Sequence, residues 1–300
     1  MAAMLAWIQA ARPLAQVNIA IPLLFGEMLA FHATGQLDVG MLIAAHAFGV
    51  FDQLFIVFAN DVADVEGDKL NETHNMFSGG SRVLPEGKLT RRALATAAAV
   101  CAGAMFLISA ALTTVGHRPA MLAGWALAVV FLWAYSYAPL RLSYRGFGEI
   151  TQGVGVGLVL PVMGWYLQVG HLDGLPWLAL LPSVLLATAS NISTALPDHA
   201  ADTAVDKQTW PVRFGEARAR KHSLQIIALG ILLTPFVLPG LDRDSLLLVE
   251  AAPAVALIAN TFLRHRADSS ERRACTRFVF LNGTAINLAL AAWCIALGVL

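Results

Sequence analysis

The chain has 300 residues, 57% hydrophobic and only 13% charged, whereas a soluble domain of this length carries about 25% charged residues. Lys plus Arg and Asp plus Glu number 20 each, so the formal net charge is zero and nothing in the total points to nucleic acid. With a mean hydropathy of +0.65, the composition argues for a membrane protein, and the apolar windows along the chain make the expected class all-α and polytopic. The three cysteines, Cys101, Cys275 and Cys294, are scattered with no CxxC, which excludes a disulfide frame or a cysteine metal site and leaves them as small apolar residues.

In chain order, "MAAMLAWIQAARPLAQ" reads as a short interfacial helix with Trp7 and Arg12 at the membrane surface. No basic n-region precedes it and no cleavage-like site follows, so a secretory signal is not expected. Nine windows are apolar for about 20 residues, the length that crosses a bilayer. They fall near 14–34, 40–60, 92–115, 119–139, 149–169, 175–196, 222–239, 245–263 and 277–299. Two long polar loops, 61–91 and 197–221, and a shorter basic one, 264–276, lie between them. Placing the N-terminus inside puts eighteen of the 20 Lys and Arg on cytoplasmic segments and leaves only Arg118 and Arg243 outside. The expectation is a single domain over 1–300 with nine transmembrane helices, its N-terminus cytoplasmic and its C-terminus outside. Both long loops then face the cytoplasm.

The first of these loops begins with acid. In "FANDVADVEGDKLN", Asp64 and Asp68 follow Asp61 by three and seven residues, so on a helix the three share a face. The second loop repeats the device: in "LPDHAADTAVDK", Asp198, Asp202 and Asp206 are spaced by four and four. Like charges so placed repel, and the cost rises near lipid, so a cation between them is expected. Hard oxygen ligands suit Mg²⁺ shared with a substrate phosphate. Two such faces at the same membrane depth are positioned to hold Mg²⁺ on either side of a diphosphate. Asn60, Lys69, Arg82, Arg141 and Lys207 lie near these clusters as candidate diphosphate-binding groups. Asn18, Asn191 and Tyr135 are candidate pocket residues, and Asp52, two helical turns before Asn60, points toward the same cavity. Gly153 and Gly157 of "GVGVG" read as close helix packing rather than a phosphate loop. His199 is the one histidine placed inside a motif.

The runs "NDVADVEGD", "FSGGSRVL", "YSYAPLRLSYRGFGE" and "PDHAADTAVDKQTWPVRFG" resemble the UbiA superfamily of intramembrane aromatic prenyltransferases. "YRGFGE" and "TWPVRFG" are most similar to the branch that prenylates 1,4-dihydroxy-2-naphthoate in menaquinone synthesis. In that branch a Gly is more usual where Asp206 stands. The resemblance implies helices around a central cavity capped by the polar loops, in a bacterial or archaeal-type cell membrane. It implies transfer of a prenyl group from an isoprenyl diphosphate to an aromatic or quinone-precursor acceptor, with Mg²⁺ as cofactor and the site on the cytoplasmic side. Asp61, Asp64, Asp198 and Asp202 are the expected catalytic residues, and Asp61, Asp64, Asp68, Asp198, Asp202 and Asp206 the expected metal ligands. Rival readings are a terpene cyclase on the same scaffold and a cation-coupled transporter. The transporter fits less well, because its charges belong near the bilayer midplane.

Overall fold

The computed structural model describes residues 2–75, 77–240 and 242–299. Its elements are α1 (Ala2–Ala11), α2 (Val17–Thr34), α3 (Val39–Leu70), α4 (Arg91–Thr114), α5 (Met121–Ser136), α6 (Gly148–Val154), α7 (Leu160–Val169), α8 (Leu180–Thr194), α9 (His199–Ala204), α10 (Trp210–Phe214), α11 (Glu216–Val237), α12 (Arg243–Leu263) and α13 (Arg272–Val299). No strand occurs among the described residues.

Seven helical segments are long and apolar enough to cross a membrane, among them Ala3–Thr34, Val39–Leu70, Gly148–Val169 and Trp177–Ala204. The two remaining expected windows are helical but fall short of that measure. The apolar helix α5 has 16 residues, and α11 opens with Arg218, Arg220 and Lys221, which lower its mean hydropathy. The chain is an integral membrane protein, with seven segments rather than nine meeting the length and composition of a span.

Local chemistry sets the helix ends. Asp38, Thr90 and Asp242 sit in extended backbone and their side chains accept from Met41 N, Ala93 N and Ser245 N, as N-caps do. α3 is the longest element at 32 residues. At 1.5 Å per residue it runs about 48 Å, more than the ~30 Å hydrocarbon core, so its C-terminal turns carry the first acidic motif out of the lipid.

Helices with no hydrophobic drive between them in lipid pack through small residues. Gly157 and Gly153, read from sequence as packing glycines, do this against α8: a Cβ on Gly157 would lie 2.6 Å from the Ser183 carbonyl oxygen, and one on Gly153 would strike Thr188 Oγ1. Gly164 of α7 meets the backbone of α2 at Leu23 in the same way. Between α6 and α7, Gly155–Val159 widens into a π turn. π turns are frequent at functional sites, and this one borders the large cavity described below.

Gly157→Leu is expected to destabilise the protein by about 1–3 kcal/mol through overpacking, read as a lowered melting temperature in detergent. Gly103→Ala, where nothing lies within 4 Å of the new methyl, should leave it unchanged or slightly raised.

Candidate active site

The acidic end of α3 and the short helix α9 face each other across a polar pocket with a cavity volume of ≈ 170 Å³. One wall is the ridge Asn60, Asp64 and Asp68, spaced four and four along α3 and therefore on one face. The opposite wall carries Asp198, Asp202, Lys207 and Thr209. Tyr135, Tyr144, Glu149 and Asn191 close the sides, and Phe77–Gly80 caps the top. Gly79 and Gly80 have φ of 74° and 66°, open to glycine at no steric cost. A Cβ on Gly80 would collide with the Asp68 carboxylate, so the loop lies on the acid only because the position is glycine.

Each carboxylate has a protein donor or a place on the pocket wall. Asp64 accepts from Tyr144 Oη at 3.1 Å and from Lys207 Nζ at 3.0 Å. Lys207 also stands 3.8 Å from Asp202, which accepts from Thr209 Oγ1 at 3.0 Å. Asp198 accepts from Asn71 Nδ2 at 2.5 Å and from Gly79 N at 3.3 Å. Asn60 Oδ1 accepts from Ser136 Oγ at 3.0 Å. Lys207 therefore joins the two walls. Burial works against its charge, but Asp64 and Asp202 outweigh burial and hold the ammonium well above the ordinary lysine range. Burial and the neighbouring Asp64 push the Tyr144 phenol up to about 12, so it stays a donor.

Five carboxylates line this pocket (Asp64, Asp68, Glu149, Asp198 and Asp202) against two cations, Arg12 and Lys207. Among the described residues no three His, Cys, Asp or Glu converge tightly enough to cage an ion without help. The walls thus carry more negative charge than Arg12 and Lys207 balance.

Several sequence candidates lie elsewhere. Asp61 is one residue, about 100° of helix, around from Asn60 and turns off the pocket face. It is 3% exposed, ion-paired to Arg12 and hydrogen-bonded by the Ser81 hydroxyl and amide. The ridge on the pocket thus starts at Asn60, not at Asp61. Asp206 is exposed and accepts from Gln208 at 2.7 Å, because the helix ends at Ala204 and the spacing of four stops defining a face there. Lys69 pairs with Glu66 at 3.0 Å at the surface. Arg82 donates to the Asp68 backbone carbonyl, and Arg141 stacks over the Tyr144 ring at 3.6 Å. His199 faces Glu216 at 3.1 Å.

Arg12 escaped sequence reading as a site residue. Pro13 opens a new helical turn directly after it, Arg12 itself has φ 43°, and the chain bends so that the guanidinium points inward rather than along the membrane surface. An Arg-Pro pair between two apolar helices was the available signal. Trp7 of α1 packs edge-on to Phe58 of α3 at 5.9 Å and holds this bend against the site. Tyr144, Asn71 and Thr209 were missed as well, since neutral donors in polar loops carry no pattern.

Arg12, Asn60 and Tyr135 also line a second cavity of ≈ 430 Å³. It runs into the membrane between α3, α5 and the α6–α7 segment, and is walled largely by apolar side chains such as Phe48, Ile56, Phe131, Val156 and Met163. Asn18 and Asp52 open onto it. Three side chains thus mark the junction of a polar and an apolar compartment.

Similar proteins share this arrangement at the level of fold. A homologue from Archaeoglobus fulgidus, solved bound to DMAPP and Mg²⁺, superposes with a TM-score of 0.65 at 19% identity, covering 98% of this chain and 99% of its own. A digeranylgeranylglyceryl phosphate synthase structure superposes with a TM-score of 0.59 at 15% identity, with 99% of each chain covered. A 1,4-dihydroxy-2-naphthoate octaprenyltransferase from Mycobacterium tuberculosis is 27% identical over 265 residues, 84% of this chain and 87% of the relative. A 4-hydroxybenzoate octaprenyltransferase from Alkalilimnicola ehrlichii is 27% identical over 274 residues, 90% and 86% respectively. Residues 19–284 match the UbiA prenyltransferase family, so the chain belongs to that family and is a membrane-embedded prenyltransferase.

Proposed function

We propose that the enzyme transfers a prenyl group from an isoprenyl diphosphate to an aromatic quinone precursor, with Mg²⁺ as cofactor. The observation that carries this reading is the junction: a small acid-lined pocket meets, at Arg12, Asn60 and Tyr135, a larger apolar chamber. The head of the donor substrate belongs in the first and its tail in the second. The relatives named for naphthoate and hydroxybenzoate acceptors support an aromatic acceptor.

The surplus carboxylates fit Mg²⁺, with Asn60, Asp64 and Asp68 as ligands on one wall and Asp198 and Asp202 on the other. Magnesium held by these residues would supply positive charge to the diphosphate and make it a better leaving group. Lys207, tied to both walls, adds a fixed positive charge toward the same oxygens. The bond between C1 of the prenyl group and the bridging oxygen breaks with its electron pair passing to the diphosphate. C1 is then an allylic cation at the junction. The apolar chamber keeps water from it, and the Tyr135 ring there offers a cation–π face worth about 1–2 kcal/mol. The aromatic acceptor gives a ring electron pair to C1, forming the new C–C bond, and loses the displaced ring proton or carboxyl group to restore aromaticity.

Asp64→Asn and Asp198→Asn should each lower turnover by about 100-fold or more, the scale of lost electrostatic stabilisation at a transition state. Asp206→Asn should stay near wild type, and chelation of Mg²⁺ should abolish the wild-type rate. A radiolabelled prenyl transfer assay in membranes reads all four. Survival of activity in Asp64→Asn and Asp198→Asn together would end the metal–diphosphate assignment.

We also propose that the site faces the cytoplasm, from the asymmetry of Lys and Arg. All three native cysteines are buried, so a single introduced cysteine gives a clean signal. Arg145→Cys is expected to react with an impermeant maleimide only in inside-out vesicles, and Arg118→Cys only in right-side-out ones.

A further inference from the structure

Two charged side chains of the large chamber have no task in the chemistry above. Arg12 is the one cation among the residues lining that chamber, and Asp52 the one anion. Arg12 is held at the junction by its ion pair with Asp61, while Asp61 is itself fixed by Ser81. The guanidinium still has capacity to spare: its Nε is buried and has no partner among the described residues. Asp52 is 5% exposed, and its Oδ1 is likewise buried with no partner. Gln53, also buried, and Asn18 and Gln152 line the same space.

An aliphatic prenyl tail gives none of these groups a hydrogen bond. Buried polar atoms without a protein partner are rare and call for a ligand atom or water, and charged groups at membrane depth are functional by default. One needs an anionic acceptor and the other a donor. The nine residues from Asp52 to Asp61, where Arg12 is clamped, rise about 13 Å along α3. One aromatic ring bearing an acid at one end and a hydroxyl at the other, with a hydrogen bond of about 3 Å at each end and the reach of the Asp52 side chain, covers that interval.

We propose that Arg12 and Asp52 are the orienting pair of the acceptor site. Arg12 takes the carboxylate of a hydroxyaryl acid, and Asp52 accepts from its hydroxyl. Asp61 is then a positioning residue: it holds the Arg12 fork at the junction instead of binding metal. The pairing sets which edge of the ring faces C1, because the acid end lies beside Asn60 and Tyr135. The assignment rests on the aromatic-acceptor reading above.

The test uses full-length enzyme with geranyl diphosphate and Mg²⁺. Acceptors are 4-hydroxybenzoate and 1,4-dihydroxy-2-naphthoate, with phenol and 1,4-dihydroxynaphthalene as acid-free counterparts. Arg12→Gln should raise KM for the acid-bearing acceptors by about tenfold or more, as loss of a specific polar contact does, while KM for the acid-free ones and for geranyl diphosphate moves little. Arg12→Lys preserves the ion pair with Asp61 but loses the fork, so it should show part of the same loss in a folded protein. Asp61→Asn should follow Arg12→Gln in its acceptor KM. Asp52→Leu should raise acceptor KM, and Asp52→Asn, whose amide oxygen still accepts, should restore most of it. A rise in KM for geranyl diphosphate with no change in the preference for acid-bearing acceptors would overturn the assignment and give Arg12 to the diphosphate. Failure of the wild-type enzyme to prenylate any of the four acceptors is a separate result, and removes the aromatic-acceptor reading itself.

Discussion

Five carboxylates face one another across a small pocket where apolar helices leave the membrane, with two cations to answer them. Like charges brought together at low dielectric repel strongly, and the architecture around them is organised to make that arrangement tolerable. α3 is long enough to carry its acids beyond the hydrocarbon. Gly79 and Gly80 let backbone close over Asp68 and Asp198 where a side chain would collide. Lys207 sits between Asp64 and Asp202 and ties the two walls together. The protein folds around a surplus of negative charge that its own two cations only partly balance.

The same pocket has value only because of what adjoins it. Arg12, Asn60 and Tyr135 belong to both compartments, so the polar pocket and the apolar chamber meet at these three side chains. Close glycine contacts hold the α6–α7 segment against α8 and α2, and the π turn at Gly155–Val159 forms part of the chamber wall. The N-terminal bend at Arg12–Pro13 completes the boundary, which places the end of a segment that reads as a membrane-surface helix at the acidic pocket.

Much of this was legible in the sequence, for identifiable reasons. Hydropathy over about 20 residues located the long apolar helices, though not the short α9 and α10 inside the second polar loop, and repeated acidic spacing pointed to both walls. The GxxxG-like spacing at Gly153 and Gly157 correctly foretold helix contact. What failed was rotation and termination. Choosing Asp61 as the first member of the ridge rather than Asn60 is a one-residue shift, yet 100° on a helix moves a side chain from the pocket to Arg12. Extending the second ridge to Asp206 assumed a helix that in fact ends at Ala204. The neutral donors Tyr144, Asn71 and Thr209 and the inward turn of Arg12 depend on contacts between distant segments, such as the 127 positions between Asn71 and Asp198. No local pattern encodes those contacts.

The central claim is that the two acidic walls act as one site, bridged through a single diphosphate. A double-mutant cycle on Asp64 and Asp198 tests it most directly, with Mg²⁺-dependent binding of the non-reactive analogue geranyl thiodiphosphate as the readout. If one ligand is shared, removing either carboxylate removes most of the benefit of the other. The double variant should then bind about as weakly as either single one, a coupling of roughly 1–3 kcal/mol. Strictly additive losses would mean that the walls serve separate ligands, and would contradict the account.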